Sequence, residues 1–338
     1  MTPAAAGSDR VEVRPAVPAD AAAVHHLIAS AFRARPALDP PADALSETAG
    51  SVRDEIGARG GLVAEHRGRP VGALLFGAGP GLRLTRVSVD PGQRRQRIAA
   101  RLVRAAEEEA VHRGVETVSL VARRELSSNG AFWRSLGYGE VDPLLFPAPD
   151  RAPHNLTLAR AVPFPVVVPG AEAMRALGRQ LGGVLAAGDL VLLTGDLGAG
   201  KTTLTQGIGS GLGVRGPVTS PTFVIAREHP SRVDGPPLVH VDGYRLGGAA
   251  ELDDLDLDAT VGTAVTVVEW GRGIAEALAE DRLLLAIDRD PAGAREGDEP
   301  DPGGPDGDEA RVLHVDAVGG RWAFAGLRTL LAGQGVDR

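Results

Sequence analysis

There is no cysteine among the 338 residues, so disulfides, thiolate metal ligands and a cysteine nucleophile are all excluded. Aromatic residues make up only 4%, and no apolar run approaches the roughly 20 residues that cross a bilayer. The opening stretch MTPAAAGSDR lacks a charged n-region and a following apolar h-region, which predicts a cytoplasmic chain with no membrane contact. A basic excess is also missing. With 36 Lys and Arg against 44 Asp and Glu the net charge is −8, so an isolated chain gripping nucleic acid through a broadly basic surface is not expected. RNA would be met inside a complex. Scarcest among the residue types present is lysine: one of the 36 basic residues, Lys201, against 35 arginines. The wide planar guanidinium does not fit where a compact ammonium must enter a phosphate cluster, so the single lysine marks the first position to inspect.

At about 100–200 residues per domain, the length predicts two domains. After a disordered start at 1–10, strands are expected at Val11 to Arg14, Gly61 to Glu65, Val71 to Phe76, Leu82 to Val89, Thr117 to Ala122 and Asn155 to Leu158. A helix opened by Pro18, Ala19 and Asp20 carries Val24, Leu27, Ile28 and Phe32 on one face; further helices are read at Ile98 to Arg113 and Asn129 to Leu136. These form an α+β unit over 11–160. Prolines at 143, 147, 149, 153, 163, 165 and 169 predict a stiff linker at 161–170. From 171 to 338 the pattern is α/β with a mainly parallel sheet: helix Ala171 to Ala186, then strands Asp189 to Thr194, Leu238 to Val241, Ala264 to Val268 and Leu283 to Ile287. Nine acids, four prolines and five glycines between Asp288 and Ala310 predict a disordered insert without chemistry at 288–310. The acids Asp253, Asp254, Asp256 and Asp258 read as a solvated face.

Gly195, Asp196, Leu197, Gly198, Ala199, Gly200, Lys201 and Thr202 fit G-x-x-x-x-G-K-[ST], after the apolar run LVLLT and before a helical pattern. Glycines let successive N–H groups turn inward around phosphates, the helix start adds positive potential, Lys201 reaches the terminal phosphates and Thr202 can ligate Mg²⁺. A Gly-rich turn that only caps a helix would not account for the lone lysine standing there. Such a loop also needs a carboxylate from a neighbouring strand end. Asp242 ends LVHV and Glu269 ends AVTVV, and in a parallel sheet both emerge at the carboxyl edge where ligands bind.

GDLGAGKTT from Gly195, SPTF from Ser220, HVDGYRL from His240 and VVEW from Val267 occur in the order and spacing of TsaE, and residues 163–338 resemble that family. The resemblance implies an ATPase of tRNA threonylcarbamoyladenosine synthesis. It would act with the TsaB and TsaD proteins, whose complex places threonylcarbamoyl on N6 of adenosine 37, so that tRNA is met only through them. It further implies that Lys201, Thr202 and Thr203 bind phosphate and metal, with Lys201 and Thr203 counted with the catalytic groups. Glu269 would help Thr202 hold Mg²⁺, Asp242 would orient or deprotonate the attacking water, and Trp270 would pack near the nucleotide, the alternative being a core aromatic. Gly243 and Gly271 stand where the family usually has leucine and proline.

VEVRPAVPADAAAVHHLI, RVSVDPGQRRQRIAARLV and SSNGAFWRSLGYGEV resemble the GNAT-type N-acetyltransferases over residues 11–160. The resemblance implies acetyl-CoA as cofactor, held by Val89, Arg94, Arg95, Ile98, Ala99 and Asn129, and an amine acceptor such as a ribosomal-protein amino terminus. Arg97 replaces the loop's first glycine, and Trp133 stands where many members carry a tyrosine that protonates the leaving thiolate. Glu65, His66 and Glu125 are candidate bases, the alternative for each being a surface charge. Three states stay open for this half: an intact acetyltransferase, a cofactor-binding but inactive domain, and a docking relic. For the whole chain the sequence predicts an α/β P-loop NTPase domain preceded by an α+β GNAT-like domain. A P-loop alone fits a small-molecule kinase equally well, and a nucleotide-controlled adaptor, or an acetyltransferase regulated by its ATPase, are further readings.

Overall fold

The computed structural model describes residues 10–248, 251–252, 257–289 and 310–332. All of the predicted disorder at 1–10 except Arg10, and all but the ends of 288–310, with Asp253, Asp254 and Asp256, lie outside these residues. Contacts divide the chain into two units, Met1–Val162 and Pro163–Arg338, each built on its own seven-stranded sheet. Among the described residues no helix is long and apolar enough to cross a membrane.

The first unit contains β1 (Glu12–Pro15), α1 (Ala21–Arg33), α2 (Ala49–Arg59), β2 (Gly61–His66), β3 (Arg69–Gly77) and β4 (Leu82–Val89). It continues with α3 (Ile98–His112), β5 (Thr117–Arg123), α4 (Ser127–Ser135), β6 (Gly139–Glu140) and β7 (Asn155–Ala161). The sheet runs β1-β2-β3-β4-β5-β7-β6. Val71 to Phe76 reads as one apolar run because helices cover both faces. Ala73 and Leu75 meet α1 and α2 through Val24, Ile28, Val52 and Ile56, while Leu74 and Phe76 face the α3 side with Ile98, Leu102 and Ala106. Helix α2 is absent from the sequence reading, because only Val52 and Ile56 mark its buried face.

One pairing in this sheet is short. Strands β4 and β5 are parallel and paired only from Leu82–Val118 to Leu84–Leu120. Beyond Leu84 the two part, while β5 stays zipped to β7 as far as Arg123–Asn155. Asp90 donates its amide to Val71, so by strand alternation Ser88 and Asp90 face β3, whereas Val87 and Val89 turn their backbone groups to the open edge.

The second unit contains β8 (Phe164–Val168), α5 (Ala171–Gly182), β9 (Leu190–Thr194), α6 (Lys201–Gly211), β10 (Ala226–His229), β11 (Leu238–Asp242), β12 (Val265–Glu269), β13 (Arg282–Arg289) and β14 (Arg311–Val318). Its order is β10-β11-β12-β9-β13-β14-β8, with β11, β12, β9 and β13 parallel and the outer strands antiparallel. The stretch expected to be a linker at 161–170 is β8, paired to β14 from Val168–Arg311 to Phe164–Val315. Pro165 misled the reading, since an edge strand tolerates a residue without an N–H. Residues 288 and 289 likewise belong to β13, where Asp288 pairs with Val312 and Arg289 with Arg311.

Helices α5 and α6 approach until glycine alone fits between them. A Cβ on Gly178 would stand 2.4 Å from the Leu204 carbonyl oxygen, and one on Gly207 would stand 2.3 Å from that of Arg175. The contact seats α6, and with it the turn that starts at Gly195.

Candidate functional site

Strand β9 ends at Thr194 and α6 begins at Lys201, so the glycine-rich turn leaves the middle of a parallel sheet at its carboxyl edge. Gly195, Gly198 and Gly200 have φ of 144°, 78° and 108°, values that only glycine adopts freely. At Gly195 a Cβ would lie 2.5 Å from the Ile287 carbonyl oxygen, so the turn sits directly on the end of β13. Asp196, Leu197 and Gly198 are exposed, and Ala199 and Lys201 are buried.

The Lys201 ammonium donates to the Gly195 and Asp196 carbonyl oxygens at 2.7 and 2.9 Å. It is folded back onto the loop whose ligand it would grip. Burial lowers its pKa below the ordinary lysine value, and the carboxylates of Glu269, Asp242 and Asp196 act against that shift. Trp270 closes this side: at φ 59° the chain turns sharply as it leaves β12, and the indole centre stands 4.1 Å from Lys201 Nζ. Trp270 is half-buried and touches Lys201, and this contact leaves open whether it packs near a nucleotide.

Register places the two acids side by side, Asp242 opposite Glu269 on β11 and β12. Both are buried, at 5% and 3% exposure, which no unpaired carboxylate would tolerate. Glu269 Oε1 accepts from Thr202 Oγ1 at 2.9 Å and lies 2.9 Å from His240 Nε2. An ionised carboxylate only accepts, so the imidazole carries its hydrogen on Nε2. His240 is fully buried and its Nδ1 has no partner among the described residues. Asp242 Oδ2 accepts from Thr222 Oγ1 at 2.5 Å, with Ser220 Oγ at 3.5 Å, and Oδ1 accepts the Tyr244 amide at 3.0 Å. Thr203 follows on α6, half-buried.

His240, Ser220 and Thr222 were quoted in the sequence motifs without a role, and the structure gives each a contact to one of the two acids. The signal was present in the strand register: His240 lies two residues before Asp242 on the same face. The unusual glycines also find a cause. A Cβ at Gly271 would stand 2.7 Å from Val268 Cγ1, and one at Gly243 would stand 3.1 Å from the Glu269 carbonyl oxygen.

These donors suit a nucleotide and Mg²⁺. Inward-turning amides at a helix start fit phosphates, a lysine already bonded to oxygens can exchange them for phosphate oxygens, and a hydroxyl beside a carboxylate is the hard-oxygen pair Mg²⁺ takes.

In the first unit, Val89 ends β4 at the open edge, Arg94 and Arg95 are exposed in the following loop, and Ile98 and Ala99 begin α3. Arg97 adopts φ 58° and ψ 19°, a left-handed conformation that glycine adopts more freely than arginine. The first amides of α3 remain open for an anion such as a pyrophosphate. Asn129 sits in α4, half-buried. Trp133 is a core aromatic, 5% exposed, with ring centroids 5.1 Å from Phe132 and 5.2 Å from Tyr138. The Tyr138 hydroxyl is buried and donates to Glu107 Oε1 at 3.1 Å; burial first, then the Glu107 charge, hold its pKa well above the usual value. Glu65 and Glu125, read as possible bases, are ion-paired to Arg14 and Arg123 at 2.6 and 3.0 Å.

Compared with known proteins, residues 168–296 match the family model described as threonylcarbamoyl adenosine biosynthesis protein TsaE, and residues 22–138 match that of the acetyltransferase (GNAT) family. A tRNA threonylcarbamoyladenosine biosynthesis protein TsaE from Streptomyces coelicolor is 58% identical over 158 residues, 46% of this chain and 99% of the relative. The Bacillus subtilis protein of the same name is 38% identical over 152 residues, 45% of this chain and 84% of the relative. Among solved structures, the Escherichia coli ribosomal-protein-S18-alanine N-acetyltransferase is similar at 20% identity and a TM-score of 0.37, over 45% of this chain and 94% of that one.

Proposed function

Because the carboxyl-terminal half of the chain belongs to the TsaE family and a GNAT-family unit precedes it, we propose a cytoplasmic, Mg²⁺-dependent ATPase that serves TsaB and TsaD in making N6-threonylcarbamoyladenosine at position 37 of tRNA. The tRNA is reached through that complex. The observation that supports this most directly is the Thr202–Glu269 hydrogen bond beside Lys201, with Asp242 one strand away.

In this reading the amides from Gly195 to Thr203 cradle the phosphates, and Lys201 exchanges two loop carbonyls for phosphate oxygens. Thr202 and Glu269 hold Mg²⁺, and His240 keeps Glu269 aimed at it. Asp242, gripped by Thr222 and the Tyr244 amide, orients the attacking water. Bound ATP supplies the phosphoryl group to be cleaved, and Mg²⁺ offsets its charge.

The test is phosphate release by the full chain, alone and with TsaB and TsaD, with no acceptor added. Hydrolysis stimulated by the two proteins supports the reading. Turnover that appears only with a small phosphate acceptor would replace it by a kinase, and no turnover under saturating ATP would leave an adaptor.

For the first unit the reading is an acetyl-CoA-dependent N-acetyltransferase, supported by the parting of β4 from β5 and by the left-handed Arg97. Calorimetric titration with acetyl-CoA tests it. Micromolar binding is expected, and absent binding would leave this unit a scaffold.

A further inference from the structure

Arg35 follows the last turn of α1 and reaches the edge of β4 that β5 has left. Its Nη2 donates to the Val87 carbonyl oxygen at 3.2 Å, and its guanidinium carbon lies 3.7 Å over the centre of the Phe32 ring. Val87 turns its backbone groups to the open side, so the cation stands at the mouth of the parted strands, two residues before Val89.

Several arginines of this sheet are matched by carboxylates. Arg14 meets Asp20 and Glu65, and Arg86 meets Glu47 at 2.7 Å. Arg35 has no carboxylate partner among the described residues. Burial lowers its pKa to about 10, and the one charged neighbour that adds to the effect, Arg94, is a second cation acting in the same direction. A half-buried cation is costly without an anion, and here the fold supplies only a carbonyl dipole and a ring face. The remaining guanidinium N–H groups form a fork that suits a carboxylate.

We propose that Arg35 binds a carboxylate on the acetyl acceptor, so that this unit takes an amine whose molecule also carries a carboxylate: a free amino acid or an acidic peptide. The proposal rests on the acetyltransferase reading and narrows its acceptor. Arg94, which opens the loop offered to a pyrophosphate, is a charged neighbour of Arg35, so the experiment has to distinguish an acceptor carboxylate from the phosphates of the cofactor. A peptide rich in basic side chains finds the wrong sign of charge here.

The experiment gives the full chain acetyl-CoA with L-glutamate, with spermidine, or with an Ala-Arg peptide amidated at its carboxyl terminus, and follows amide formation. Glutamate is the expected acceptor. Arg35→Gln should raise its KM by about 10–100-fold while the Kd for acetyl-CoA stays the same, and Arg35→Lys should recover part of the loss. Acetylation of only spermidine or the capped peptide would overturn the proposal. So would an unchanged glutamate KM in Arg35→Gln, or a loss confined to acetyl-CoA binding, which would assign the cation to the cofactor's phosphates. Arginine Nε resonances of the full chain, titrated with N-acetylglutamate, separate this proposal from the reading beneath it. A shift that vanishes in Arg35→Gln keeps the carboxylate site even if nothing is acetylated, and no shift removes it.

Discussion

The ammonium of Lys201 stands 4.1 Å from the centre of the Trp270 indole. The lysine is therefore fixed from two sides, by loop carbonyls and by an aromatic face delivered from the end of β12. An indole over an ammonium contributes about 0.5–2 kcal/mol, enough to hold the side chain in place and little enough to let phosphate oxygens displace the carbonyls.

Lys201→Ala should lower ATP hydrolysis by about 100-fold or more, with the circular dichroism of the chain unchanged. Asp242→Asn should lose hydrolysis to a similar degree while nucleotide affinity stays within about threefold. Fluorescent-nucleotide titration beside phosphate release separates the two. A fully active Asp242→Asn would end its assignment to the attacking water.

His240→Leu removes one of the two donors on Glu269 Oε1 and keeps an apolar side chain in the buried site. The Mg²⁺ concentration for half-maximal hydrolysis should rise about 10–100-fold, and Mn²⁺ binding followed by electron paramagnetic resonance should weaken in parallel. An unchanged metal requirement would show that the imidazole serves packing only.

Two glycine replacements should change stability in opposite directions. In Gly207→Ala the new Cβ meets the Arg175 carbonyl oxygen at 2.3 Å, so a loss of about 1–3 kcal/mol is expected in spite of alanine's higher helix propensity. Gly57 lies in α2 with nothing within 4 Å of an added Cβ, and Gly57→Ala should gain about 0.5–1 kcal/mol. Urea unfolding of the full-length variants reads both.

Asp20 accepts from Arg14 at 2.8 and 2.9 Å and from the Val17 amide at 2.8 Å. The Arg14 hydrogen bonds, above all, hold its pKa below the usual 3.8, against a smaller opposing effect of burial. A carboxylate lowered by folding stabilises the fold above its unfolded value and loses that contribution as pH falls through its folded one. Asp20→Asn should cost up to about 1 kcal/mol at pH 7, with the gap to the parent closing as pH falls below about 4. A gap of equal size at both ends would place the effect in packing instead.

The phosphate turn, both strand-end acids and the parallel centre of the second sheet were legible because each writes a local pattern: glycines at fixed spacing, a lone lysine, a carboxylate closing an apolar run. What escaped depends on partners distant in sequence. Pro165 looks like linker until β14 supplies a neighbour that asks nothing of its missing N–H. His240 looks like an ordinary strand residue until register brings Glu269 alongside. Trp133 stands in sequence where many GNAT members carry a tyrosine, and only its contacts to Phe132 and Tyr138 show that it is core.

The β13–β14 hairpin has a practical consequence. Arg289 and Arg311 are paired, so the chain leaves β13 and enters β14 at adjacent points. Two residues before Arg289, the Ile287 carbonyl packs on Gly195. Asp288 is exposed, and the chain has no cysteine of its own. A single Asp288→Cys can therefore carry one dye at one defined place beside the glycine-rich turn, where a change of its fluorescence on adding ATP would report in real time the filling of that turn.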